Sequence, residues 1–404
     1  MSELEGKAAL SGVRVLDLAD EKGVYCGKLL AEMGADVLKV EPPGGDATRR
    51  FGPFVHDIPD PERSLFFMHF NTSKRGITLC MEHPEGRELF KQLAQTADAV
   101  VETFPPGHLQ EIGLGYEDLN RLNPRLILVS ITPFGQTGPY RDYKGSDLIA
   151  CALGGQMYLS GDADTSPLRC YGDQSYHMAS CFATIGLLTA LYERNFSEEG
   201  QHIDVSLEES MAAVIEPVIP YYVFEKFIPK RQGTLHWTGG FQVFESKDGH
   251  VLMPVRSRFE DMVTWLELNG MAQDLADPKY ATLEARKENT GHLVEVIGAF
   301  AKTKTTAELV EYGQLIRAPF ADVRLVEDLL DDEHFQARGF FITLDHPEFG
   351  GQFKYPGAPF QAHGSPYRVT SRAPHIGEHN LEVYRDELHL TESQLAGLRE
   401  RGVI

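Results

Sequence analysis

Short apolar runs that alternate with helical segments constrain the fold more than any other feature of this sequence. The runs are apolar on both faces, as is typical of parallel strands covered by helices on both sides. The predicted strands are VRVLDLA (13–19), DVLKVE (36–41), ITLC (77–80), DAVVE (98–102), RLILVSIT (125–132) and QHIDVS (201–206). The alternation predicts a doubly wound α/β domain with a mainly parallel sheet.

Helices are predicted between these strands. The segment YCGKLLAEMG (25–34) has an apolar stripe closed by Gly34, and PEGRELFKQLAQ begins at Pro84, a favourable first helical position. A long helix is predicted in MASCFATIGLLTALYER, after His177. Large residues fall on one of its sides and small ones on another, so we expect this helix to be buried on most sides.

The character of the chain changes after the first two hundred residues. In the segment 231–255, the turn signal Lys247-Asp248-Gly249 separates two alternating stretches, which indicates a β-hairpin. Helical patterns follow it, and the proline-rich tail returns to short strands and loops. We therefore predict a large domain over 1–220, an inserted smaller α+β domain over 221–335, and a return to the large domain over 336–404.

Composition excludes several classes of protein. The 404 residues carry a formal net charge of −21, which argues against a nucleic-acid partner but not against a small anionic ligand held by local cations. No apolar run is long enough for a membrane span, and no signal-peptide pattern opens the sequence. The five cysteines are widely separated, without a C-x-x-C pair, so neither a disulfide framework nor a zinc site is indicated. We expect a reduced cytoplasmic protein.

Common catalytic motifs are missing from the sequence. The first strand is followed by ADEKGVYCGKLL, which lacks the G-x-G-x-x-G pattern of a dinucleotide site, and no P-loop pattern occurs. Neither H-E-x-x-H nor G-x-S-x-G is present, so a metal site and a hydrolase triad have no support. Two loops could bind an anion or could simply be solvated: FNTSKRG, with Lys74 and Arg75, and the glycine-proline loop TPFGQTGPY.

Several stretches together resemble the family III CoA-transferases, which include formyl-CoA, carnitine and benzylsuccinate CoA-transferases and the related α-methylacyl-CoA racemases. The stretches are GVRVLDLA, LLAEMGADVLKVEPPGGDATR, FNTSKRGITLCMEHPEG, DAVVETFPPGHLQEIGLGYEDL, NPRLILVSITPFGQTGPY, LLTALYER with EEGQHIDVSLEE, and PHIGEHN. The resemblance implies a Rossmann-like large domain and two chains interlocked as a dimer. It also implies coenzyme A or an acyl-CoA as substrate, bound between chains, with no covalently bound cofactor.

The resemblance also implies an aspartate nucleophile near the start of the long helix. In typical members this aspartate lies nine residues after a proline and fourteen before an Ala-Leu pair. Counting from Pro167 and from Ala190 leads to the same position, where this chain has Tyr176. A phenol cannot form the mixed anhydride of this chemistry. Asp173, three residues earlier, is the fallback nucleophile; its other interpretation is a local helix cap.

Further site residues follow from the same resemblance. Those expected to contact CoA are Lys74, Arg75, Phe104, Phe134 and Gly135. The mobile active-site loop is expected at Gly239 and Gly240. Gln110 and Glu111 stand where many members have an arginine near the CoA phosphates. Ser146 replaces the histidine of the racemase G-H-D motif, so racemase activity is not expected.

Three functions remain open from the sequence. The first is one subunit of a CoA-transferase that lacks the nucleophile and pairs with a homologous catalytic chain, as a heterodimer or heterotetramer. Its donor would resemble succinyl-CoA and its acceptor would be an organic acid such as an aryl- or alkyl-succinate. The second is a homodimeric transferase that uses Asp173, and the third is a non-catalytic acyl-CoA or CoA-binding protein.

Overall fold

The computed structural model describes residues 7–215, 218–236 and 238–404. The described chain divides into two compact units. The first unit contains the described parts of 1–156, 171–216 and 337–404, and the second those of 157–170 and 217–336. The second unit thus includes 157–170, which lie inside the large domain predicted from the sequence.

Eleven strands and sixteen α-helices are found in the described residues. The strands are β1 Arg14–Asp17, β2 Asp36–Glu41, β3 Arg75–Thr78, β4 Ala99–Glu102, β5 Ile127–Thr132, β6 His202–Ser206, β7 Phe241–Glu245, β8 His250–Pro254, β9 Ala321–Asp322, β10 Phe341–His346 and β11 Gly351–Pro356. The helices are α1 Val24–Glu32, α2 Leu65–Phe70, α3 Pro84–Gln95, α4 His108–Glu111, α5 Tyr116–Leu122, α6 Asp147–Leu153, α7 Gln156–Leu159, α8 Gln174–Ser197, α9 Leu207–Ala213, α10 Val218–Glu225, α11 Phe259–Leu268, α12 Leu283–Glu288, α13 Thr290–Ala301, α14 Thr306–Leu315, α15 Glu333–Ala337 and α16 Glu392–Glu400.

The first unit is organised around a six-stranded sheet in the order β3-β2-β1-β4-β5-β6, with every pair parallel. This order is that of a doubly wound sheet, so the predicted mixed α/β class with a parallel sheet is confirmed. The third strand is shifted from its prediction, because β2 pairs with it from Leu38 opposite Arg75 to Glu41 opposite Thr78. The order in which the strands are added to the sheet reverses between β1 and β4, although the two strands are parallel. This reversal opens a crevice at their carboxyl ends.

Each face of this sheet is covered by its own apolar core. Neighbouring residues of a strand point to opposite faces, so Val15 packs toward α1 and α8 while Leu16 packs toward α3. The C-terminal segment completes the second of these cores, where Val403 is fully buried. Burying one such aliphatic side chain contributes about 1.5–3 kcal/mol.

The long helix α8 is buried mainly on one side, and the prediction that it is buried on most sides is wrong for large residues such as Ile185 and Tyr192. Ala179 and Ala183 are fully buried against the sheet, because small side chains allow close packing. Ile185 and Tyr192 on the other side are 58% and 68% exposed. The sequence pattern marks an apolar side but does not distinguish burial within one chain from a surface that another chain could cover.

The second unit has its own core and a small antiparallel sheet in the order β7-β8-β9. The predicted hairpin is confirmed: β7 and β8 pair antiparallel around the Lys247–Gly249 turn. Trp265 of α11 packs against Phe300 of α13 in this core. None of the helices in the described residues is both long and apolar enough to cross a bilayer.

Candidate active site

The start of α8 is fastened to the start of α6 by one buried carboxylate. Asp147 Oδ1 accepts hydrogen bonds from the backbone N–H and the hydroxyl of Ser175, both at 2.9 Å. Asp147 and Ser175 are both buried. Two hydrogen bonds to one buried side chain hold the first turn of α8 in place. The sequence analysis considered the Gly145-Ser146-Asp147 triplet only as a racemase motif and missed this role.

Tyr176 belongs to the same first turn and uses its hydroxyl for structure. The hydroxyl oxygen accepts a hydrogen bond from the backbone N–H of Asp147 at 3.1 Å. Burial raises the pKa of Tyr176 to about 12, so the phenol keeps its proton at neutral pH. The ring packs at the edge of the core between the sheet and α8. These contacts tie Tyr176 to α6 and leave it a weak nucleophile.

Asp173 occupies the N-cap position of α8, one residue before the helix begins. Its side chain accepts no capping hydrogen bond, although aspartate at this position commonly does so. The residue is partly exposed, and its carbonyl oxygen accepts the backbone N–H of His177 at 3.2 Å. The interpretation of Asp173 as a side-chain helix cap is therefore wrong. Its carboxylate lies where the positive end of the helix dipole stabilises an anion.

Lys74 is completely enclosed by its own chain. Its ammonium donates to Asp17 Oδ2 at 2.7 Å, to Asn71 Oδ1 at 2.9 Å and to the carbonyl of Val24 at 3.0 Å. Lysine has three N–H donors, and all three are used by these contacts. Burial lowers the pKa of Lys74 to about 8, against the opposing effect of Asp17. A CoA phosphate contact at Lys74 stays a prediction, and it requires at least one of these bonds to open.

Arg75 is also engaged within the chain. Its guanidinium binds Asp36 through two hydrogen bonds and donates to Glu382 and Glu387 as well. Burial alone would lower the pKa of Arg75, but the hydrogen bonds to Asp36 and Glu387 outweigh burial and raise it. These contacts join β3 to the C-terminal segment. The CoA contact of Arg75 likewise stays a prediction.

The remaining predicted CoA contacts lie on loops that follow strands β4 and β5. The backbone N–H of Phe104 donates to Glu102 Oε2 at 2.6 Å, and its ring lies 4.9 Å from that of His108. Phe134 precedes Gly135, whose φ of +82° favours glycine. Both loops lie at the carboxyl edge of the parallel sheet, where ligands of such folds bind. Gly239 and Gly240 belong to the second unit, immediately before β7.

A polar cavity of about 550 Å³ next to β4, β5 and β6 was not found from the sequence. Glu102 and Ser130 are buried in its wall. Ser130 Oγ lies 2.9 Å from Nε2 of His202. Burial raises the pKa of Glu102 to about 7. A glutamate in an otherwise apolar strand was the available signal, because a buried carboxyl needs partners.

Within the described ranges, no group of three or more His, Cys, Asp or Glu side chains is arranged to hold a metal ion. A family model described as CoA-transferase family III matches residues 10–380. The chain belongs to this family, as the sequence analysis predicted. It is a CoA-transferase, and CoA thioesters are its substrates.

Individual relatives agree with this assignment. The chain is 35% identical over 382 residues to succinyl-CoA:(R)-benzylsuccinate CoA-transferase subunit BbsE of Thauera aromatica, covering 92% of this chain and 93% of that protein. It is also 35% identical over 412 residues to succinyl-CoA–D-citramalate CoA-transferase of Chloroflexus aurantiacus, covering 100% of both. The crystal structure of a CAIB/BAIF family protein from Brucella suis matches with a TM-score of 0.85 and 32% identity, covering 95% and 100% of the two chains.

Proposed function

We propose that this chain takes part in CoA transfer from a succinyl-CoA-like donor to an organic acid such as an aryl- or alkyl-succinate. The observation that carries the proposal is full-length similarity to relatives whose names specify succinyl-CoA as the donor and a substituted dicarboxylic acid as the acceptor. The interlocked dimer belongs to the same proposal. The exposed apolar side of α8, which includes Ile185 and Tyr192, supports it because a second chain would bury that surface.

The family chemistry consists of carboxylate exchanges at an acyl carbon. A nucleophilic carboxylate attacks the donor thioester, the CoA thiolate leaves, and a mixed anhydride forms. The thiolate then attacks the enzyme's carbonyl in that anhydride, which releases succinate and leaves CoA as a thioester on the enzyme. The acceptor carboxylate repeats these two steps in reverse order. CoA leaves as the new acyl-CoA, and the enzyme carboxylate is restored without net proton transfer.

We propose further that this chain pairs with a homologous subunit that supplies the nucleophile. Tyr176 supports this pairing, because the position expected for aspartate holds a phenol hydrogen-bonded to Asp147 with a pKa of about 12. The relative BbsE is itself named as a subunit. In this form of the enzyme, the chain completes the dimer and shapes the acceptor site.

A second candidate is a transferase that uses Asp173 of this chain as its nucleophile. The observation in its favour is the partly exposed carboxylate at the N-terminus of α8, which accepts no capping hydrogen bond. The citramalate relative matches over its full length and its name specifies no subunit. The start of a helix carries a partial positive charge, which suits a negatively charged nucleophile at this position.

The experiment that separates the two candidates begins with the native mass of the untagged protein from cells that produce it. Two different polypeptides in a particle of about twice 45.1 kDa would support pairing, and one polypeptide would support the second candidate. The purified enzyme is then assayed with succinyl-CoA and labelled succinate, with Asp173→Asn and Tyr176→Phe as the matched variants.

The two candidates predict very different effects of Asp173→Asn on kcat. If Asp173 is the nucleophile, Asp173→Asn lowers kcat by at least about 10³-fold, and a CoA thioester can be trapped on Asp173 of the parent protein. If a partner supplies the nucleophile, Asp173→Asn changes kcat less than about threefold and the thioester forms on the partner chain. If the purified protein binds CoA but does not transfer it to labelled succinate, both candidates are contradicted and a CoA-binding protein remains.

A further inference from the structure

Three aromatic side chains from three different helices form a closed triangle near the start of α8. The ring centroids of Tyr25 and His177 are 5.4 Å apart, those of Phe70 and His177 are 5.6 Å apart, and those of Tyr25 and Phe70 are 5.9 Å apart. All three side chains are partly exposed. We call these residues the aromatic triangle. Phe66 extends it from Phe70, with their ring centroids 4.7 Å apart.

The triangle includes His177, which lies in the first turn of α8, four positions after Asp173. Asp173 is the N-cap residue, with a φ of −95° and a ψ of 71° outside the helical region. The backbone hydrogen bond from His177 to the Asp173 carbonyl confirms that the first turn is regular here. A group held next to the start of this helix would therefore have an aromatic surface beside it.

Two basic side chains, His69 and Lys28, adjoin the triangle. Burial, with smaller effects from Lys28 and His177, lowers the pKa of His69 to about 4, so that ring carries no charge at neutral pH. The ammonium of Lys28 donates to Glu32 and to Thr72, both at 2.6 Å. Because this cation is already paired, it offers little to a second carboxylate. The surface favours an apolar or aromatic group over a polar one.

We propose that Tyr25, Phe70 and His177 receive the apolar substituent of the acid acceptor and set the preference of the enzyme for aryl-substituted acids. The inference rests on the proposed transferase function and adds the residues that select the acceptor. Partly exposed rings can contact an aryl group by offset or edge-to-face packing. A small hydroxylated acid has no aryl group to pack against them.

The test compares two acceptors, 2-benzylsuccinate and 2-methylsuccinate, with succinyl-CoA as donor and the enzyme in its natural assembly. Phe70→Leu and Tyr25→Leu remove one ring each, and Tyr25→Phe keeps the ring. We expect each leucine variant to lower the benzyl-to-methyl ratio of kcat/KM by roughly fivefold, and Tyr25→Phe to preserve it. Phe196→Leu, in the exposed Tyr192–Phe196 pair at the other end of α8, is the matched control and should leave the ratio unchanged.

Equal losses for both acceptors in the leucine variants would show that the rings only support the fold and would overturn the inference. An unchanged ratio would do the same. Calorimetric titration with the two free acids tests binding without turnover. If the parent protein transfers CoA to neither acid, the proposed function fails, while tighter binding of the benzyl acid that Phe70→Leu abolishes would still support the inference. Equal binding of the two acids by the parent protein would overturn it.

Discussion

Asp17 and Asp173 are two aspartates at the ends of secondary structure elements in the same unit, but they differ in every contact. The side chain of Asp17 is fully buried, and its oxygens accept hydrogen bonds from the Lys74 ammonium and from the backbone N–H of Ala19. Asp173 is partly exposed and accepts no capping bond. A carboxylate enclosed in this way holds the fold together, whereas one left open at a helix N-terminus is available for chemistry.

The neighbours of Asp17 show how tightly that site is closed. A Cβ atom at Gly27 would collide with the Asp17 carboxylate and lie 2.9 Å from Nζ of Lys74. Glycine at position 27 therefore lets α1 approach the ion pair closely. Gly27 lies both in the segment ADEKGVYCGKLL, which lacks a dinucleotide motif, and in the helix predicted over 25–34.

The largest effect on stability is expected from Lys74→Met. The variant leaves the buried Asp17 carboxylate without its cation, which costs about 3–5 kcal/mol of unfolding free energy. Urea unfolding at neutral pH measures the loss. Arg401→Met is the matched control, because Arg401 pairs with Glu85 at 2.8 Å on the surface and exposed pairs contribute about 0–1 kcal/mol. Equal losses in the two variants would contradict the structural role of Lys74.

Glu102 extends the comparison to a buried carboxyl whose pKa is set mainly by burial and not by a cation. Its pKa is raised from 4.5 to about 7, so the folded state holds a proton that the unfolded state has released between these values. The stability that this group contributes is therefore complete below pH 4.5 and is lost as the pH rises to about 7. Between pH 4.5 and pH 7, the unfolding free energy of the wild type should fall by about 1.4 kcal/mol per pH unit relative to that of Glu102→Gln.

The control for this titration is Glu117→Gln, because Glu117 lines the same cavity but is exposed. Unfolding free energies of the three proteins, measured from pH 4 to pH 8, give the slopes directly. Parallel curves for the wild type and Glu102→Gln would mean that Glu102 titrates normally in the folded chain. If the wild type loses stability relative to Glu102→Gln as the pH rises, Glu102 is enclosed in the folded chain, as Asp17 is.

Local patterns in the sequence predicted most of the first unit, and some boundaries to the residue. Strand β2 and the start of α3 at Pro84 agree with their predictions, because strand alternation and a proline at the first helical turn depend on adjacent residues only. The contacts that decide the site are different. Lys74 and Asp17 are 57 positions apart, and Tyr176 and Asp147 are 29 apart. A pairing over such separations leaves no periodic signal in one sequence.

The family resemblance predicted one feature that periodicity does not. It indicated that the nucleophile lies near the start of α8, where Asp173 and Tyr176 are found. The resemblance did not indicate that Lys74 donates all three of its N–H groups to atoms of its own chain. In a sequence, a buried loop lysine cannot be distinguished from an exposed one. Nor did it reveal that large residues of α8, such as Tyr192, are exposed.

The smallest expected effect is the sharpest test of the contrast between Asp17 and Asp173. Asp173→Ala should change the unfolding free energy by less than about 0.5 kcal/mol at physiological ionic strength, because it removes no capping bond and only a screened interaction with the helix dipole. Thr391→Ala removes the capping box of α16 in the same unit and should cost about 1 kcal/mol. If Asp173→Ala costs as much as Thr391→Ala, Asp173 stabilises its helix in solution, and the carboxylate is not simply open. If it costs almost nothing, the aspartate contributes little to the fold, and its position at the start of α8 supports the catalytic use proposed for it.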